Sequence, residues 1–549
     1  MKSSDKIESD KPDVQKTSGG GRWCWLAMLL IIICAAVIRG RLASMPLERD
    51  EGEYAYIGQE MLRGVWPYES AYSMKLPGIY AIYAVILAIF GQTQTAIHTG
   101  LIIFNAATIL VIFLIAKELF GWLAAVAASA AYAIMSLGTP VLGLSANAEH
   151  FVVLPALIGV LLIAKSVERR KLPVILAAGL LFGLAFIIKQ HGVFFGVFGS
   201  LYLLYADLRH RPIQWKKTVV TQFVFAVGAV APFALTCVLF WKAGLFDKFW
   251  FWTFTYASKY AARIPLSVAW DMFMNGFAPV VKSAKLIWIF VPVGLICVVL
   301  VKQYRRWAVL VVGLLIFSFF AVCPGFYFRG HYFIFLLPAA AILAGVGFVS
   351  IGEIVFSKFR KLDRTIIISA IGLAIAGYSL YQQRIFLFDN TPEVVCRLIY
   401  GFNPFPESLP IADFIRANTE PNDTVAVIGS EPQIYFYSGR RAATAYIYTY
   451  PLMEPHDYAA EMQQEMIKQI ESARPEFLVF VRVSYSWLAG PGSVELIFQW
   501  FNSYQSQYYD VVGVADMVSS EYTVWRWNEQ AINYTPSSES WVAIFRRKP

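Results

Sequence analysis

Glu48, Asp50, Glu51, Glu53 and Glu60 crowd into the stretch PLERDEGEYAYIGQEMLRGVWPYESAYSMKLPG (residues 46–78), and a lone lysine, Lys75, stands near its end. Further polar islands follow: Glu149 and His150 in SANAEHF (145–151), Lys189, Gln190 and His191 in FIIKQHGVF (186–194), and Arg329 and His331 in CPGFYFRGHYFIFLLP (323–338). Each sits beside an apolar run, where an ionisable residue needs a reason to be present. Together they offer carboxylates that can take a proton from a hydroxyl and cations that can stabilise a departing phosphate. Helix capping and the helix dipole account for one or two acids at a helix start, and less well for so dense a cluster.

Such islands need a scaffold, and composition gives its class. Of 549 residues 58% are hydrophobic and only 15% charged, with apolar runs of bilayer-spanning length through the first two thirds. The chain reads as an α-helical polytopic membrane protein. Its net charge of +9 does not point to nucleic acid, because Lys and Arg sit in short clusters between apolar runs, without a basic groove or stacking motif. Of six cysteines only Cys396 lies in a polar region, so no disulfide framework is implied. Residues 1–22, polar and Gly/Ser-rich, read as a disordered cytoplasmic tail. The next run, WCWLAMLLIIICAAVI, lacks a small-residue cleavage site and reads as a retained anchor.

Twelve runs are candidates for crossing: 23–38, 76–91, 97–116, 121–138, 149–165, 172–188, 191–206, 218–241, 286–301, 307–322, 331–350 and 365–381. If all cross from a cytoplasmic N-terminus, VERRK (167–171), DLRHR (207–211), KQYRR (302–306) and KFRKLDR (358–364) fall outside, against the positive-inside rule. Removing one crossing between residues 41 and 97 returns all four clusters to the cytoplasm. The run 76–91, opened by Pro77-Gly78, is shorter than the ~20 residues a spanning helix needs, and is expected to lie on or dip into the outer leaflet. About eleven spans result; the alternative is a short tilted span here and a failed crossing elsewhere. Loops 41–96, 139–148, 189–191, 242–285, 323–330 and everything after 382 then face outside, and they hold nearly all the unusual residues.

In RDEGEYAYIGQEMLRG the spacing of Tyr54, Ile57 and Met61 predicts an amphipathic helix in the interfacial plane, with Asp50 and Glu51 at its N-terminal end. One outer face then offers Asp50, Glu51 and Glu149 as carboxylates and Lys75, Lys189 and Arg329 as cations, with His331 available. Loop 242–285, containing WFWTFTYASKYAARIP, is a candidate cover bringing Tyr256, Lys259 and Arg263. Glu149 and His150 are candidate ligands for a divalent metal, without a close ligand-spacing signature.

At these residues the chain resembles the GT-C integral membrane glycosyltransferases, in particular the protein O-mannosyltransferases of glycosyltransferase family 39 and the lipid A aminoarabinose transferases. The resemblance rests on Asp50-Glu51 in the first outer loop, MKLPG (74–78) as a variant of an (H/K)-x-P motif, Glu149 as a second acid between the third and fourth spans, and HYFIFLLP (331–338) opening a late span. It covers roughly residues 20–385. It implies a GT-C transmembrane catalytic domain over 23–382, with the first outer loop at 41–96, and inverting transfer from a polyprenyl-phosphate sugar. It also implies Asp50 as general base, Glu51 and Glu149 positioning acceptor or metal, and Lys75 and Arg329, beside Lys189 and His331, at the donor phosphate. The implied partners are a polyprenyl-phosphate-linked sugar, a lipid, glycan or protein acceptor, and membrane lipids. The implied location is a bacterial inner (plasma) membrane, with the active site extracytoplasmic.

Residues 383–549 turn polar and are expected to form an extracytoplasmic soluble α/β domain with a mostly parallel sheet, TVAVIG and FLVFV being strands. VIGSEP, after the first of these, lacks the G-x-G-x-x-G or P-loop pattern of a nucleotide loop, which leaves a capping or acceptor-recognition role for the domain. Its aromatics, Tyr448, Tyr450, Trp525 and Trp527 among them, are either core or platforms for sugar rings. The competing function is a multi-span transporter or lipid flippase, which calls for internal repeats and helices broken at the membrane midplane. No repeat is visible, and the charges gather at the outer edge. A non-catalytic scaffold has no need of Asp50, Lys75, Glu149 and Arg329 on one face.

Overall fold

A computed structural model describes residues 20–166, 170–209 and 212–549; the tail expected at 1–22 lies outside them up to residue 19, as do parts of the basic clusters at 167–171 and 207–211. The chain is an integral membrane protein built mainly of helices. The first nine that concern the site are α1 (Gly20–Arg41), α2 (Arg49–Leu62), α3 (Gly78–Phe90), α4 (Gln94–Phe120), α5 (Trp122–Met135), α6 (Ala148–Ser166), α7 (Leu172–Ile188), α8 (Val193–Arg209) and α9 (Trp215–Lys242). Among the described residues eight helices are long and apolar enough to cross a membrane: α1, α4, α6, α8, α9 and three later ones ending at Val322, Val355 and Gln382. Three shorter apolar helices, α5, α7 and Lys285–Leu300, pack among them. Each apolar run read from the sequence is helical.

Two segments differ from their expected form. α2 is not a surface helix: Arg49 and every residue from Glu51 to Glu60 are buried, because α3 covers one side and the C-terminal helix Gln433–Ser438 the other. Gly52 permits this approach, since a Cβ there would lie 2.7 Å from the Gln433 backbone nitrogen. The stretch 242–285 is not an open loop but two apolar helical arms, Phe246–Ala261 and Leu266–Ser283, bent by 96°. Its aromatic content explains why, with Phe249, Trp252 and Tyr256 packed inside. α3, at 13 residues, is about 20 Å long and too short to span. It buries Ile79, Tyr80 and Tyr83 and leaves Val85 and Ile89 exposed.

The C-terminal sheet has six strands in the order β2-β1-β3-β6-β4-β5, from β1 (Thr424–Ile428), β2 (Arg441–Ala442), β3 (Phe477–Arg482), β4 (Tyr509–Met517), β5 (Thr523–Trp527) and β6 (Trp541–Arg547). β1 pairs in parallel with β2 and β3, while β3, β6, β4 and β5 pair antiparallel. The sheet is therefore mixed where a mostly parallel one was expected. Helices link β1, β2 and β3, whereas only the short turn 518–522 joins β4 to β5, and such a turn allows antiparallel pairing alone. The domain is bolted to the first loop: Tyr72 N–H donates to the Ala445 carbonyl (2.7 Å), Ala442 N–H to the Tyr56 hydroxyl (2.9 Å), and Leu47 N–H to the Tyr437 hydroxyl (2.8 Å).

Candidate active site

The acids of the first loop divide by task. Glu48 caps α2: its side chain accepts from Glu51 N–H (3.2 Å) while Glu51 Oε2 accepts from Glu48 N–H (3.1 Å), a reciprocal capping box. Glu51 Oε1 accepts from Ala146 N–H at 2.6 Å and lies 2.9 Å from His98 Nε2, so both oxygens are occupied in full burial, tying α2 to α4 and to the segment before α6. Glu60 pairs with Arg63 at 2.7 Å. That leaves Asp50 and Glu53, three residues apart and hence on one helix face. Both hold Lys75, whose Nζ is 2.9 Å from Asp50 Oδ1 and 2.6 Å from Glu53 Oε2.

Lys75 is delivered by the turn before α3. Gly78 sits so close to α7 that a Cβ would fall 2.5 Å from the Ile187 carbonyl oxygen, which brings the MKLPG segment against the end of α7 and the residues that follow, Lys189–His191. The Gln190 side-chain amide then donates to the Met74 carbonyl (2.8 Å) and the Thr253 carbonyl (3.3 Å), joining the turn before α3 and the junction after α7 to the helical arm Phe246–Ala261. Lys189 forms an ion pair with Glu149 in the first turn of α6, and its ammonium stands 4.6 Å from the centre of the Tyr332 ring. His331 Nε2 is 3.9 Å from the same Glu149 oxygen.

These groups border a cavity of about 430 Å³. Asp50, Glu53, Lys75, Lys189, His191, Tyr256, Arg329 and His331 line it, and Tyr448 and Tyr450 reach in from the C-terminal domain. Arg329 donates to the Tyr260 hydroxyl (3.1 Å) and lies 5.5 Å from the Tyr327 ring centre. Among the described residues it has no carboxylate within ion-pair distance, unlike Lys75 and Lys189, so it is the cavity cation most available to an incoming anion. Burial alone would raise the Asp50 carboxyl, but the ammonium groups of Lys75, which also donates to it, and Lys189 outweigh it and hold the group well below the ordinary carboxylate range. Burial would lower the Lys75 ammonium, and Asp50 and Glu53 instead push it up. His331 is pushed well down by burial and by the charge of Lys189, so its imidazole is neutral at physiological pH.

Of the residues read from the sequence, Glu149 stands behind Lys189 rather than at the cavity wall, and Glu51 serves the cap. Tyr256 lines the cavity and donates to Glu454 at 2.5 Å, Arg263 pairs with Glu454 at 2.8 Å, and Lys259 pairs with Asp457 at 2.6 Å, fastening the bent segment to the C-terminal domain. Among the described residues no three His, Cys, Asp or Glu side chains gather as a metal cluster. The candidates Glu149 and His150 do not fit a resident cation: Glu149 is taken by a lysine ammonium, whose charge opposes one. Sequence reasoning counted Glu53 among the acids without separating it from Glu51, read Tyr448 only as core or a sugar platform, and missed Tyr260. The helical period linking Asp50 to Glu53 was the available signal for Glu53.

Residues 75–241 match the family described as dolichyl-phosphate-mannose-protein mannosyltransferase. No curated protein matches the chain in sequence. Among solved structures, ArnT from Cupriavidus metallidurans bound to undecaprenyl phosphate aligns with 95% of this chain and 98% of its own, at 15% identity and a TM-score of 0.57. Its apo form gives 0.59 at the same identity and coverage. The oligosaccharyltransferase AglB from Archaeoglobus fulgidus, in complex with an inhibitory peptide and a dolichol-phosphate, aligns with 96% of this chain and 76% of its own, at 12% identity and a TM-score of 0.51. All are GT-C glycosyltransferases, so the resemblance read from the sequence is borne out. The chain has the fold of the GT-C membrane glycosyltransferases along nearly its whole length.

Proposed function

We propose that the protein moves a sugar from a polyprenyl-phosphate donor to a hydroxyl of a lipid, glycan or protein acceptor on the outer face of the membrane, with inversion at the anomeric carbon. The observation that carries this reading is the convergence of Asp50, Lys75, Lys189 and Arg329 from four separate parts of the chain on one cavity. Residues 23–382 form the catalytic membrane domain and residues 383–549 an extracytoplasmic domain. The undecaprenyl phosphate of the ArnT structure supports the donor class.

In the proposed reaction the donor phosphate lies between Arg329 and Lys75, with its sugar toward Asp50. Asp50 Oδ1 is engaged by Lys75 and Tyr448, while Oδ2 has no hydrogen-bond partner among the described residues and is free to take the acceptor proton. The acceptor oxygen bonds to the anomeric carbon from the side opposite the phosphate as the bond to the phosphate oxygen breaks. Polyprenyl phosphate leaves with its negative charge held by Arg329 and Lys75. A cavity of about 430 Å³ lies toward the small end of the range for small-molecule sites and suits one sugar with its phosphate.

The test is transfer by the purified protein from radiolabelled polyprenyl-phosphate hexoses and pentoses to extracted envelope lipids, glycans and proteins. A protein that neither transfers nor binds any of these donors overturns the reading. Arg329→Gln is expected to weaken polyprenyl-phosphate binding ~10–100-fold, the worth of a charge-assisted hydrogen bond. Unchanged affinity in that variant means that the phosphate lies elsewhere.

A further inference from the structure

Tyr448 stands 398 positions from Asp50 in the chain, yet its hydroxyl donates to Asp50 Oδ1 at 3.3 Å. The residue next to Asp50 explains how so distant a contact is held. Arg49 is buried and reaches into the C-terminal domain: Nε donates to the Ser430 carbonyl (2.5 Å), Nη1 to the Tyr450 hydroxyl (2.9 Å), and Nη2 to Glu431 Oε1 (2.7 Å) and Asn403 Oδ1 (3.0 Å). Glu431 is fully buried, and its second oxygen accepts from the Ser486 hydroxyl at 2.6 Å. The Ser430 hydroxyl lies 2.8 Å from that of Thr449 and accepts from Thr449 N–H at 2.9 Å. Ser430 and Glu431 belong to VIGSEP, the segment after β1 that lacks the G-x-G-x-x-G or P-loop pattern of a nucleotide loop. Here it grips Thr449, immediately after Tyr448, and Arg49, which also holds the Tyr450 hydroxyl, locks that assembly to the start of α2.

We propose that the C-terminal domain is part of the catalytic machinery: Tyr448 is a positioning residue for Asp50, and Arg49 with Ser430 and Glu431 is the clasp that keeps the Tyr448 hydroxyl on the carboxylate. The proposal rests on Asp50 being the base. Lys75 and Tyr448 fix one carboxylate oxygen from two directions, so that the other presents its lone pairs to the acceptor in a single orientation. Tyr448 makes and breaks no covalent bond. A buried Arg–Glu pair is weak evidence for stability, since apolar residues of similar volume often serve as well. Its forked, multiply bonded geometry fits a part that must hold an angle.

The test is a cycle of Tyr448→Phe, Asp50→Asn and the double variant in the transfer assay, with Arg49→Lys as a second probe that keeps the charge and loses the fork. Tyr448→Phe is expected to lower kcat ~10-fold with donor KM unchanged, the scale of one hydrogen bond to a charged group. It is expected to lower the residual rate of Asp50→Asn no further, because it acts through the carboxylate. Arg49→Lys should reproduce the Tyr448→Phe loss and add nothing to it. Equal losses in the wild-type and Asp50→Asn backgrounds, or an unchanged kcat for Tyr448→Phe, would overturn the positioning role. An Asp50→Asn enzyme as active as wild type would instead overturn the base assignment, and this proposal with it.

Discussion

Asp50→Asn is expected to lower sugar transfer ~10²–10⁴-fold, the range for loss of a general base, while leaving polyprenyl-phosphate binding unchanged. The substitution keeps the side-chain shape and both contacts at Oδ1 and removes the ability to accept a proton. The carboxylate is 19% exposed, facing the cavity, with one oxygen fixed and one free. Its depressed pKa sets a further expectation. Because the folded value lies below the ordinary carboxylate range, Asp50 is ionised throughout the physiological range. Its ion pair contributes stability above about pH 4, lost only as pH falls through the folded value. The pH–rate profile should therefore carry no acid limb from this group between about pH 5 and pH 8. A limb near pH 6 would assign the base to another residue. A carboxylate so stabilised is a weak base, and in the proposed reaction it regains basicity as the donor phosphate takes up part of the charge of Lys75.

The second large effect concerns the charge pair behind the cavity. Lys189→Met is expected to destabilise the protein by ~3–5 kcal/mol, because it strands the Glu149 carboxylate among buried residues. Glu149 is fully buried, its Oε2 already lacks a hydrogen-bond partner, and only the neutral His331 remains, at 3.9 Å. The double variant Lys189→Met/Glu149→Gln removes the stranded charge and should recover most of the loss. It should not recover donor affinity, since Lys189 also lines the cavity and its cation is gone. Thermal unfolding in detergent, followed for both variants beside a polyprenyl-phosphate binding assay, separates these outcomes. A single variant as stable as wild type would mean that Glu149 is protonated or finds another partner.

How much of this was legible in the sequence follows from the range of each signal. Asp50, Lys75, Lys189, Arg329 and His331 were readable because a charge beside an apolar run demands a partner or a ligand, and all five line the cavity. Glu51 and Glu53 could not be told apart by composition. The difference is helix phase, which turns Glu53 with Asp50 toward Lys75 and leaves Glu51 to complete the cap with Glu48. The amphipathic pattern of α2 was real, but an apolar stripe does not say whether a bilayer or a second domain will cover it. Tyr448 was legible only as one aromatic among several, since its contact with Asp50 arises only when the segment after β2 is folded back over the first loop. The antiparallel half of the sheet was signalled by the short turn at 518–522, which the alternation of helices and strands upstream obscured.

One comparison decides whether Asp50 drives transfer from a lipid-linked sugar. Wild type and Asp50→Asn, purified side by side, are given the polyprenyl-phosphate donor that the wild type uses, and labelled product is counted against donor bound. Equal donor binding is expected, with transfer in the variant reduced ~100-fold or more. Equal binding with undiminished transfer would contradict it and move the catalytic carboxylate elsewhere in the cavity, with Glu53 the nearest candidate.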